Sequence, residues 1–363
     1  MTTPHTLDRA MNGFDGSLPL SRARTIPASW YTSEEMAQRE RDRVFGDVWL
    51  VAGRVDQVAK PGDYFTAHLA GEPIVVTRDE SGSLRAFYNV CRHRAARVVC
   101  AEQGHATKLR CRYHGWTYDL TGRLRGVPEF DGVEGFCRED NGLKPIMVSE
   151  WGPFVWVHRG ESPAPLREWL APLERRGILS RIGGLEWAGR KEYRLACNWK
   201  VFVDNYLDGG YHVNTVHPAL AGVLDYARYR TEIEENLSVQ ISPLEPGEVG
   251  DVRSGDEAHY AWVFPHVMFN VYAGVMDTNV VYPEGPNSCR VVFDFYFESR
   301  FDTAFRARSM AVAHEVQIED EAVCLDVQVG LGSRSYDTGR FSVKREAGGY
   351  HFHRLLASRL LGN

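Results

Sequence analysis

Residues 91–114 read CRHRAARVVCAEQGHATKLRCRYH, a stretch that contains two cysteine/histidine pairs. The first pair is Cys91-x-His93 and the second is Cys111-x-x-His114, with seventeen residues between them. Two thiolates and two imidazoles on two short loops can hold either an iron–sulfur cluster or a zinc ion. The residues around the two loops help to choose between these metals.

The order of the ligands favours an iron–sulfur centre. Zinc sites of the Cys₂His₂ type usually pair cysteine with cysteine and histidine with histidine, whereas here each loop supplies one of each. In a Rieske [2Fe–2S] centre, two cysteines hold one iron and two histidines hold the other. We therefore predict that Cys91, His93, Cys111 and His114 bind a [2Fe–2S] cluster. A structural zinc site is the alternative.

The bulk properties are those of an ordinary globular protein. The chain has 363 residues, 44% of them hydrophobic and 25% charged, which allows two domains and a sizeable core. The net charge of −6 gives no indication of nucleic-acid binding. The N-terminal residues lack the apolar core of a signal peptide, and no apolar run approaches the ~20 residues that span a bilayer. We expect a cytoplasmic protein without membrane contact.

The cysteine content argues against a disulfide framework, because seven is an odd number and the residues are scattered. Free cysteine behaves as a small hydrophobic residue. The five cysteines outside the predicted cluster are therefore expected to be buried reduced thiols. They are Cys100, Cys137, Cys197, Cys289 and Cys324.

The pattern along the chain changes twice. Residues 1–45 form an N-terminal segment, expected to pack on the catalytic domain, with a helix that Ser33 caps. Residues 46–160 contain short β-like runs between turn residues, which predicts a small all-β domain carrying the cluster loops. Residues 161–363 read as α+β, with a helical segment through His217, several strands, a turn at PEGPN and the long helical run TAFRARSMAVAHEVQIEDEAVCLDVQVGL.

A second candidate metal site lies in residues 198–218, which read NWKVFVDNYLDGGYHVNTVHP. His212 and His217 are five residues apart, so an ideal helix would place them about 140° apart. They converge only if the helix ends or distorts between them. Taken alone, the pattern favours one core histidine and one surface histidine. The predicted cluster needs an electron acceptor, however, and two imidazoles with a carboxylate are typical of non-haem iron(II) sites.

The carboxylate is expected from the acidic helical segment VQIEDEAVCLDVQ. Asp320 lies on an apolar stripe with Val316, Val323 and Val327, and a carboxylate on an apolar face is unfavourable unless it is paired or binds a metal. Glu319 lies on a more solvated face. We therefore predict that Asp320 is the third ligand, with Glu319 as the alternative.

With both sites in view, the chain resembles the oxygenase component of the Rieske non-haem iron oxygenases over nearly its full length. The resemblance depends on CRHR with CRYHGWTYDLTGRL, on NWKVFVDNYLDGGYHVNTVHP, and on IEDEAVCLDVQVGL. It implies a small all-β Rieske domain joined to a helix-grip-like α+β catalytic domain, whose antiparallel sheet is backed by helices. It also implies a head-to-tail homotrimer, in which the cluster of one subunit supplies the iron of its neighbour.

Within the family, DNYLDGGYHV, WVFPHVMFNVYAGVMDTNVVYPEGP and HFHRLL are most similar to the choline monooxygenase group. The resemblance implies hydroxylation of a C–H bond next to nitrogen or oxygen in a quaternary amine such as choline, a betaine or carnitine, including N-demethylation. Aromatic faces would bind such a cation, although strand aromatics are more often core residues. The candidates are Trp262, Phe264, Phe269, Tyr272, Tyr282, Phe293 and Phe295.

One position departs from the family pattern. Most relatives carry an acidic residue three positions before the first histidine ligand, where it bridges the two metal centres, and here that position is Gly209. Asp208 lies four positions before His212, and Asp204 lies a further turn back. The choline monooxygenase group shares the DGGYH arrangement, so we predict that Asp208 is the bridge, with Asp204 as the alternative.

The resemblance also implies an external reductase that passes electrons from NAD(P)H through flavin and an iron–sulfur cluster. Several arginines near the cluster either form a docking face for an acidic reductase or are ordinary solvated residues. They are Arg92, Arg94, Arg97, Arg110, Arg112, Arg123 and Arg125. Three other functions remain open: an oxygenase of aromatic rings or alkyl groups, a pure Rieske electron carrier, and a zinc-stabilised ligand-binding protein.

Overall fold

The computed structural model describes residues 13–217, 227–244 and 255–362. The first twelve residues of the predicted N-terminal segment lie outside the described part. The chain forms two compact units, one comprising Gly46–Leu170 and the other comprising the described residues before and after it. Among the described residues, no helix has both the length and the hydrophobicity needed to cross a membrane.

The unit Gly46–Leu170 is built from ten antiparallel strands in two sheets. One sheet has seven strands in the order β1-β10-β9-β4-β3-β2-β5, and the other has three in the order β6-β7-β8. Two 3₁₀ helices (Val55–Val58 and Glu139–Asn141) and helix α3 complete the unit. The strands are β1 Leu50–Arg54, β2 Asp63–Leu69, β3 Glu72–Arg78, β4 Leu84–Tyr88, β5 Gln103–His105, β6 Lys108–Arg110, β7 Thr117–Asp119, β8 Leu124–Gly126, β9 Pro145–Trp151 and β10 Phe154–His158, and α3 is Leu166–Trp169.

The second unit contains one seven-stranded antiparallel sheet in the order β11-β17-β16-β15-β14-β13-β12. Its strands are β11 Glu186–Leu195, β12 Arg230–Ile233, β13 Leu237–Pro243, β14 Glu257–Val263, β15 Val267–Tyr272, β16 Val275–Gly285 and β17 Ser288–Phe297. Its helices are α1 Ala28–Thr32, α2 Glu34–Arg43, α4 Ala171–Arg175, α5 Ile178–Ile182, α6 Trp199–Tyr206, α7 Val213–Val216, α8 Thr303–Leu331 and α9 Ala347–Leu361. The predicted α+β class is confirmed, with an antiparallel sheet accompanied by helices.

A buried ion pair fixes helix α6, which leads into the second candidate site. Lys200 is fully buried and donates from Nζ to Glu40 Oε1 at 2.6 Å, while Trp199 donates from Nε1 to Glu40 Oε2 at 2.8 Å. Glu40 lies on α2, whose N-terminus Ser33 caps as predicted by accepting from the Met36 backbone N–H. Because both charges are removed from water, their mutual pairing is required to offset desolvation. The pair therefore ties the N-terminal segment to α6.

Three sequence predictions differ from the structure. The helical segment does not continue to His217, because α6 ends at Tyr206 and the pair Gly209-Gly210 adopts left-handed φ angles of +69° and +72°. The turn in PEGPN is shorter than predicted, since β16 extends through Gly285 and β17 begins at Ser288.

The third difference concerns the cysteines. Cys197, Cys289 and Cys324 are buried as expected, whereas Cys100 and Cys137 are exposed. Both exposed residues lie in connecting segments rather than in strands or helices, and the Cys137 thiol donates to Glu139 at 3.0 Å. A small apolar side chain does not determine burial when the backbone that carries it runs at the surface.

Candidate active site

The two cluster loops share one backbone hydrogen-bond pattern. In the first loop, Cys91 N donates to Ala96 O at 2.8 Å and Ala95 N donates to Cys91 O at 3.0 Å. In the second loop, Cys111 N donates to Trp116 O at 2.8 Å, and Gly115 N donates to Cys111 O at 3.1 Å. Both loops therefore turn in the same way after the cysteine, although the histidine follows two residues later in the first loop and three residues later in the second.

The four predicted ligands come together at the tip of these loops. Cys91 and Cys111 are buried and within hydrogen-bonding reach of each other, while the His93 and His114 rings lie nearer the surface with their centroids 4.6 Å apart. The Nδ1 atom of His93 is buried and has no hydrogen-bond partner among the described residues. A buried imidazole nitrogen without a partner is unfavourable unless it binds a metal. The donor set therefore fits a [2Fe–2S] cluster.

Tyr118 approaches one of the cysteines. Its hydroxyl lies 3.4 Å from Cys91 Sγ and accepts from the Arg92 backbone N–H at 3.0 Å. Burial, together with the neighbouring Cys91, holds the pKa of Tyr118 well above its ordinary value, so the hydroxyl keeps its proton. Toward a thiolate ligand, this hydroxyl can only be the donor.

Tyr118→Phe is expected to lower the midpoint potential of the cluster by about 40–60 mV. A donor to a ligating sulfur stabilises the more negative, reduced state. A bond worth about 1–1.5 kcal/mol corresponds to this shift for one electron. Redox titration of the cluster absorbance in both proteins measures the difference. An unchanged potential in a variant with full cluster content would contradict the assigned hydrogen bond.

The second candidate site forms where helix α6 ends. After the glycine pair the chain makes one short helical turn, α7, with His212 directly before it and His217 directly after it. Because α7 ends at Val216 and His217 leaves the helical conformation, with φ −114° and ψ +79°, the two histidines are not constrained to the spacing of one continuous helix. Their Nε2 atoms lie 3.0 Å apart. The end of this short helical turn at His217 is therefore what allows the two rings to converge.

Helix α8 supplies the carboxylate. Asp320 Oδ1 lies 3.1 Å from His217 Nε2 and 3.5 Å from His212 Nε2, so one oxygen and two ring nitrogens face a common point. A ligand atom from each of the three residues lies within 4.8 Å of the other two. Two histidines and one carboxylate are the donor set of a non-haem iron(II) site with open positions.

Three further groups orient these side chains. Asp208 Oδ2 lies 2.5 Å from His212 Nδ1, and Glu319 Oε2 lies 2.7 Å from His217 Nδ1. Asn205 Nδ2 donates to Asp320 Oδ1 at 2.7 Å. Carboxylates on the outer nitrogens of ligating histidines fix the ring orientation and direct both Nε2 atoms to the metal. Glu319, the alternative ligand, therefore contacts the outer ring nitrogen of His217, whereas Asp320 contacts the inner one.

The protonation of the candidate ligands is coupled through their mutual contacts. Burial lowers the pKa of His212, but Asp208 and Asp320 outweigh this effect and raise it to about 10. Burial raises the pKa of Asp320, but the two histidines outweigh it and lower the pKa to about 2. The site therefore holds its carboxylate ionised, and a metal would displace the imidazole proton.

Asp204 is placed differently from Asp208. It accepts from Tyr31 Oη at 2.6 Å through Oδ2, and its Oδ1 lies 2.9 Å from His353 Nε2. The Ile26 backbone N–H donates to His353 Nδ1 at 3.2 Å, so His353 is a neutral imidazole whose Nε2–H donates to Asp204. Asp208 contacts the candidate ligand His212, whereas Asp204 is held by the N-terminal segment and by α9.

Gly209 is enclosed by backbone. A Cβ at this position would overlap the carbonyl oxygen of Arg345, and its φ of +69° lies in the left-handed region. The position where the family resemblance led us to expect a bridging acid therefore has no room for a side chain. Gly210 also has a positive φ, but its nearest neighbour is the Tyr229 ring at 3.3 Å from an added Cβ.

A cavity of about 130 Å³ opens onto the three candidate ligands. On one side it is bounded by His212, His217 and Asp320, and on the other by side chains of the sheet. Aromatic residues form much of its lining: Phe202, Tyr206, Tyr229, Tyr260, Tyr272 and Phe293. This cavity beside the candidate metal ligands is suited to a small organic substrate.

The sheet face of the cavity is organised by strand register. Gln240, Tyr260, Asn270 and Asp277 are directly opposite one another on four neighbouring strands, β13 to β16.

Of the aromatic residues predicted from sequence, Tyr272 and Phe293 line the cavity, whereas Trp262, Phe264 and Phe269 are fully buried in the core. The polar wall residues were missed. Their signal is a polar side chain at alternate positions of an otherwise apolar strand.

The seven arginines near the cluster are all exposed. Arg125 donates to Asp119 at 2.6 Å. Tyr113, which precedes the ligand His114, is 59% exposed and packs against the His114 ring with centroids 3.7 Å apart. The tip of this unit thus presents a basic surface around its exposed histidine. A docking role for that surface stays a prediction.

Two family models match the chain. Residues 183–362 match the ring hydroxylating alpha subunit (catalytic domain), and residues 48–137 match the Rieske [2Fe-2S] domain. The first region contains the convergent histidines and α8, and the second contains both cysteine/histidine loops.

The most similar proteins include two curated relatives and several solved structures. The chain is 41% identical to choline monooxygenase of Arabidopsis thaliana, over 98% of this chain and 87% of the relative. It is 30% identical to the carnitine monooxygenase oxygenase subunit of Acinetobacter pittii, over 91% and 92% respectively. The crystal structure of the quaternary ammonium Rieske monooxygenase CntA with L-carnitine superposes with a TM-score of 0.83, at 29% identity, and covers 94% of this chain and 99% of that one.

Proposed function

Because the chain belongs to the Rieske oxygenases, as a relative of their choline and carnitine monooxygenases, we propose that it oxidises a small quaternary amine with O₂ and reductase-supplied electrons. The observation that supports this proposal best is that His212, His217 and Asp320 line the same cavity as several tyrosines. Electron-rich aromatic faces bind cations that carry methyl groups. The same cavity holds the reacting C–H bond beside the metal ligands.

Cys91, His93, Cys111 and His114 would hold the [2Fe–2S] cluster, and His212, His217 and Asp320 would hold iron(II). When bound, these centres supply single-electron transfer and the activation of O₂. The surrounding side chains position the metal ligands and shield the substrate. Asp208 and Glu319 keep the two imidazoles oriented, Asn205 positions the Asp320 oxygen, and the buried sheet face limits the access of water to the substrate.

The overall reaction inserts one oxygen atom of O₂ into a C–H bond and reduces the other to water, with two electrons and two protons. Hydroxylation of choline beside its oxygen would give the hydrate of betaine aldehyde. Hydroxylation of an N-methyl group would give a carbinolamine that collapses to a demethylated amine and formaldehyde. The two outcomes differ only in which carbon the cavity places beside the metal ligands.

The electrons are proposed to come from a flavin and iron–sulfur reductase that docks on the basic tip around His114. Transfer between the two metal centres is proposed to occur between neighbouring subunits of a homotrimer, through Asp208. Asp208 contacts the ligand His212 directly, which supports it over Asp204 as the bridge. A pure electron carrier would leave the second donor set without a role.

The test is a substrate screen with the iron-loaded protein and a surrogate reductase. Choline, glycine betaine and carnitine are supplied in turn, and NADH consumption is measured together with the organic product by mass spectrometry. We expect substrate-dependent consumption coupled to an aldehyde or to formaldehyde for at least one of them. If the reduced protein oxidises none of these amines but oxidises an aromatic or alkyl compound, the proposed substrate class is wrong.

A further inference from the structure

We propose that Cys197 and Cys324 are a modification site, at which hydrogen peroxide converts the two thiols into a reversible disulfide that ties α6 to α8. Cys197 is 0% exposed and directly precedes Asn198, the N-cap of α6. Cys324 is 1% exposed and lies on α8, four residues after the candidate ligand Asp320. The site therefore joins two helices that position the candidate mononuclear metal site.

Hydrogen bonds fasten three segments of the chain to one another at this place. The Asn198 backbone N–H donates to Gln328 Oε1 at 2.8 Å, and Asn198 Nδ2 donates to the carbonyl oxygen of Pro286 at 3.0 Å. Gln328 Nε2 donates in turn to Asn287 Oδ1 at 3.0 Å. The start of α6, the turn between β16 and β17, and α8 are therefore held together. Each of these segments carries a buried cysteine nearby, namely Cys197, Cys289 and Cys324.

The three thiols are in contact through Cys197. Its sulfur lies within hydrogen-bonding reach of both Cys289 and Cys324. The thiols of Cys289 and Cys324 donate to this sulfur and lower the pKa of Cys197 to about 4, against the effect of burial. The thiolate is the form of cysteine that is oxidised, and a second thiol beside it can resolve the first product into a disulfide. The group therefore has the composition of a redox-active pair.

Cys324 is the member of the group that a small molecule can reach. It lines a second cavity, of about 170 Å³, which Asn205 and Asp208 also line. Asn205 and Asp208 belong to the lining of the cavity beside the candidate metal ligands as well, so the two cavities share part of one wall. O₂ that takes up two electrons and two protons without oxidising a substrate leaves as hydrogen peroxide. Peroxide formed beside the metal ligands is therefore released close to Cys324.

The oxidation balances with one molecule of hydrogen peroxide. Transfer of the Cys324 proton to Cys197 across their hydrogen bond leaves a thiolate on the sulfur that faces the cavity. This sulfur attacks one peroxide oxygen, the O–O bond breaks, and hydroxide leaves, which gives a sulfenic acid. The Cys197 thiol then attacks the sulfenic sulfur. The S–S bond forms, the S–O bond breaks, and the oxygen leaves as water, while a thiol reductant reverses the product by exchange.

The test treats the metal-loaded protein with hydrogen peroxide, without an amine substrate. Peroxide is raised until the exposed thiols of Cys100 and Cys137 are oxidised, catalase removes the excess, and free thiols are alkylated during unfolding. Mass spectrometry of the digest then identifies disulfide-linked peptides. We expect a peptide pair joined through Cys197 and Cys324 in most chains. The pair should be lost when dithiothreitol is added before alkylation.

Cys289→Ala and Cys324→Ala are the matched variants. Cys289→Ala removes the thiol that does not line the second cavity and should still form the link, whereas Cys324→Ala should leave Cys197 free for alkylation. Cluster absorbance and iron content show that each variant is folded and loaded. Wild-type Cys197 and Cys324 that remain free for alkylation after the exposed thiols are oxidised overturn the proposal without any variant. A wild-type link between Cys197 and Cys289 instead also overturns it.

Discussion

His217→Ala is expected to abolish both the mononuclear iron and substrate oxidation while the Rieske cluster remains intact. His217 is 2% exposed, and its Nε2 lies 3.0 Å from His212 Nε2 and 3.1 Å from Asp320 Oδ1, so its removal leaves only two of the three candidate donors. Outer partners of metal ligands are worth about 10–100-fold in affinity or activity. Loss of a ligand itself should exceed that range.

The measurement combines iron per chain, cluster absorbance and product formation in the same preparation. The cluster ligands belong to the other compact unit of the chain, so their absorbance should not change. Glu319→Gln is the matched control, because it alters the outer partner of the same imidazole and keeps the inner donor set. It should retain iron with an affinity reduced by about 10–100-fold. Full activity in His217→Ala would refute the ligand assignment.

Asp208→Asn is expected to slow electron transfer from the cluster to the iron by about 10–100-fold without removing either centre. An asparagine oxygen can still accept from His212 Nδ1 and preserve the ring orientation, but it carries no charge. The readout is the rate at which the reduced cluster reoxidises when O₂ and substrate are added in a single turnover. Iron content and cluster absorbance show that the two centres are present.

Asp204→Asn is the comparison for this experiment. Asp204 lies on α6, four residues before Asp208, but its partners are Tyr31 and His353 rather than a candidate metal ligand. We expect its reoxidation rate to stay close to that of the wild type. A slow Asp204→Asn variant beside an unaffected Asp208→Asn variant would transfer the proposed bridge to Asp204.

The parts of the site that sequence predicts are those encoded by local spacing. The two cysteine/histidine loops are short, and their ligand order distinguishes a cluster from zinc without knowledge of the fold. Asp320 is predictable because a carboxylate on an apolar helical stripe needs a partner. His212 and His217 were predicted as ligands only with the help of the cluster, since helical periodicity alone places them apart.

The parts that sequence does not predict depend on the register between strands. Nothing in the order of residues places Gln240, Tyr260, Asn270 and Asp277 in one row, because hydrogen bonding between four strands sets that row. The helix end at Tyr206 was missed for a different reason. The signal is present in the glycine pair that follows, since glycine readily adopts the left-handed φ angles that end a helix.

The backbone around position 209 limits which residues can evolve at that position. Every residue other than glycine would overlap the backbone at Arg345 and adopt a left-handed conformation. An acidic residue at this position would therefore not fit the present backbone, whatever advantage it would bring. Such a change would first require the segment around Arg345 to move. Selection can therefore change the residues around position 209 in the DGGYH sequence, but glycine at position 209 itself is required by the present backbone.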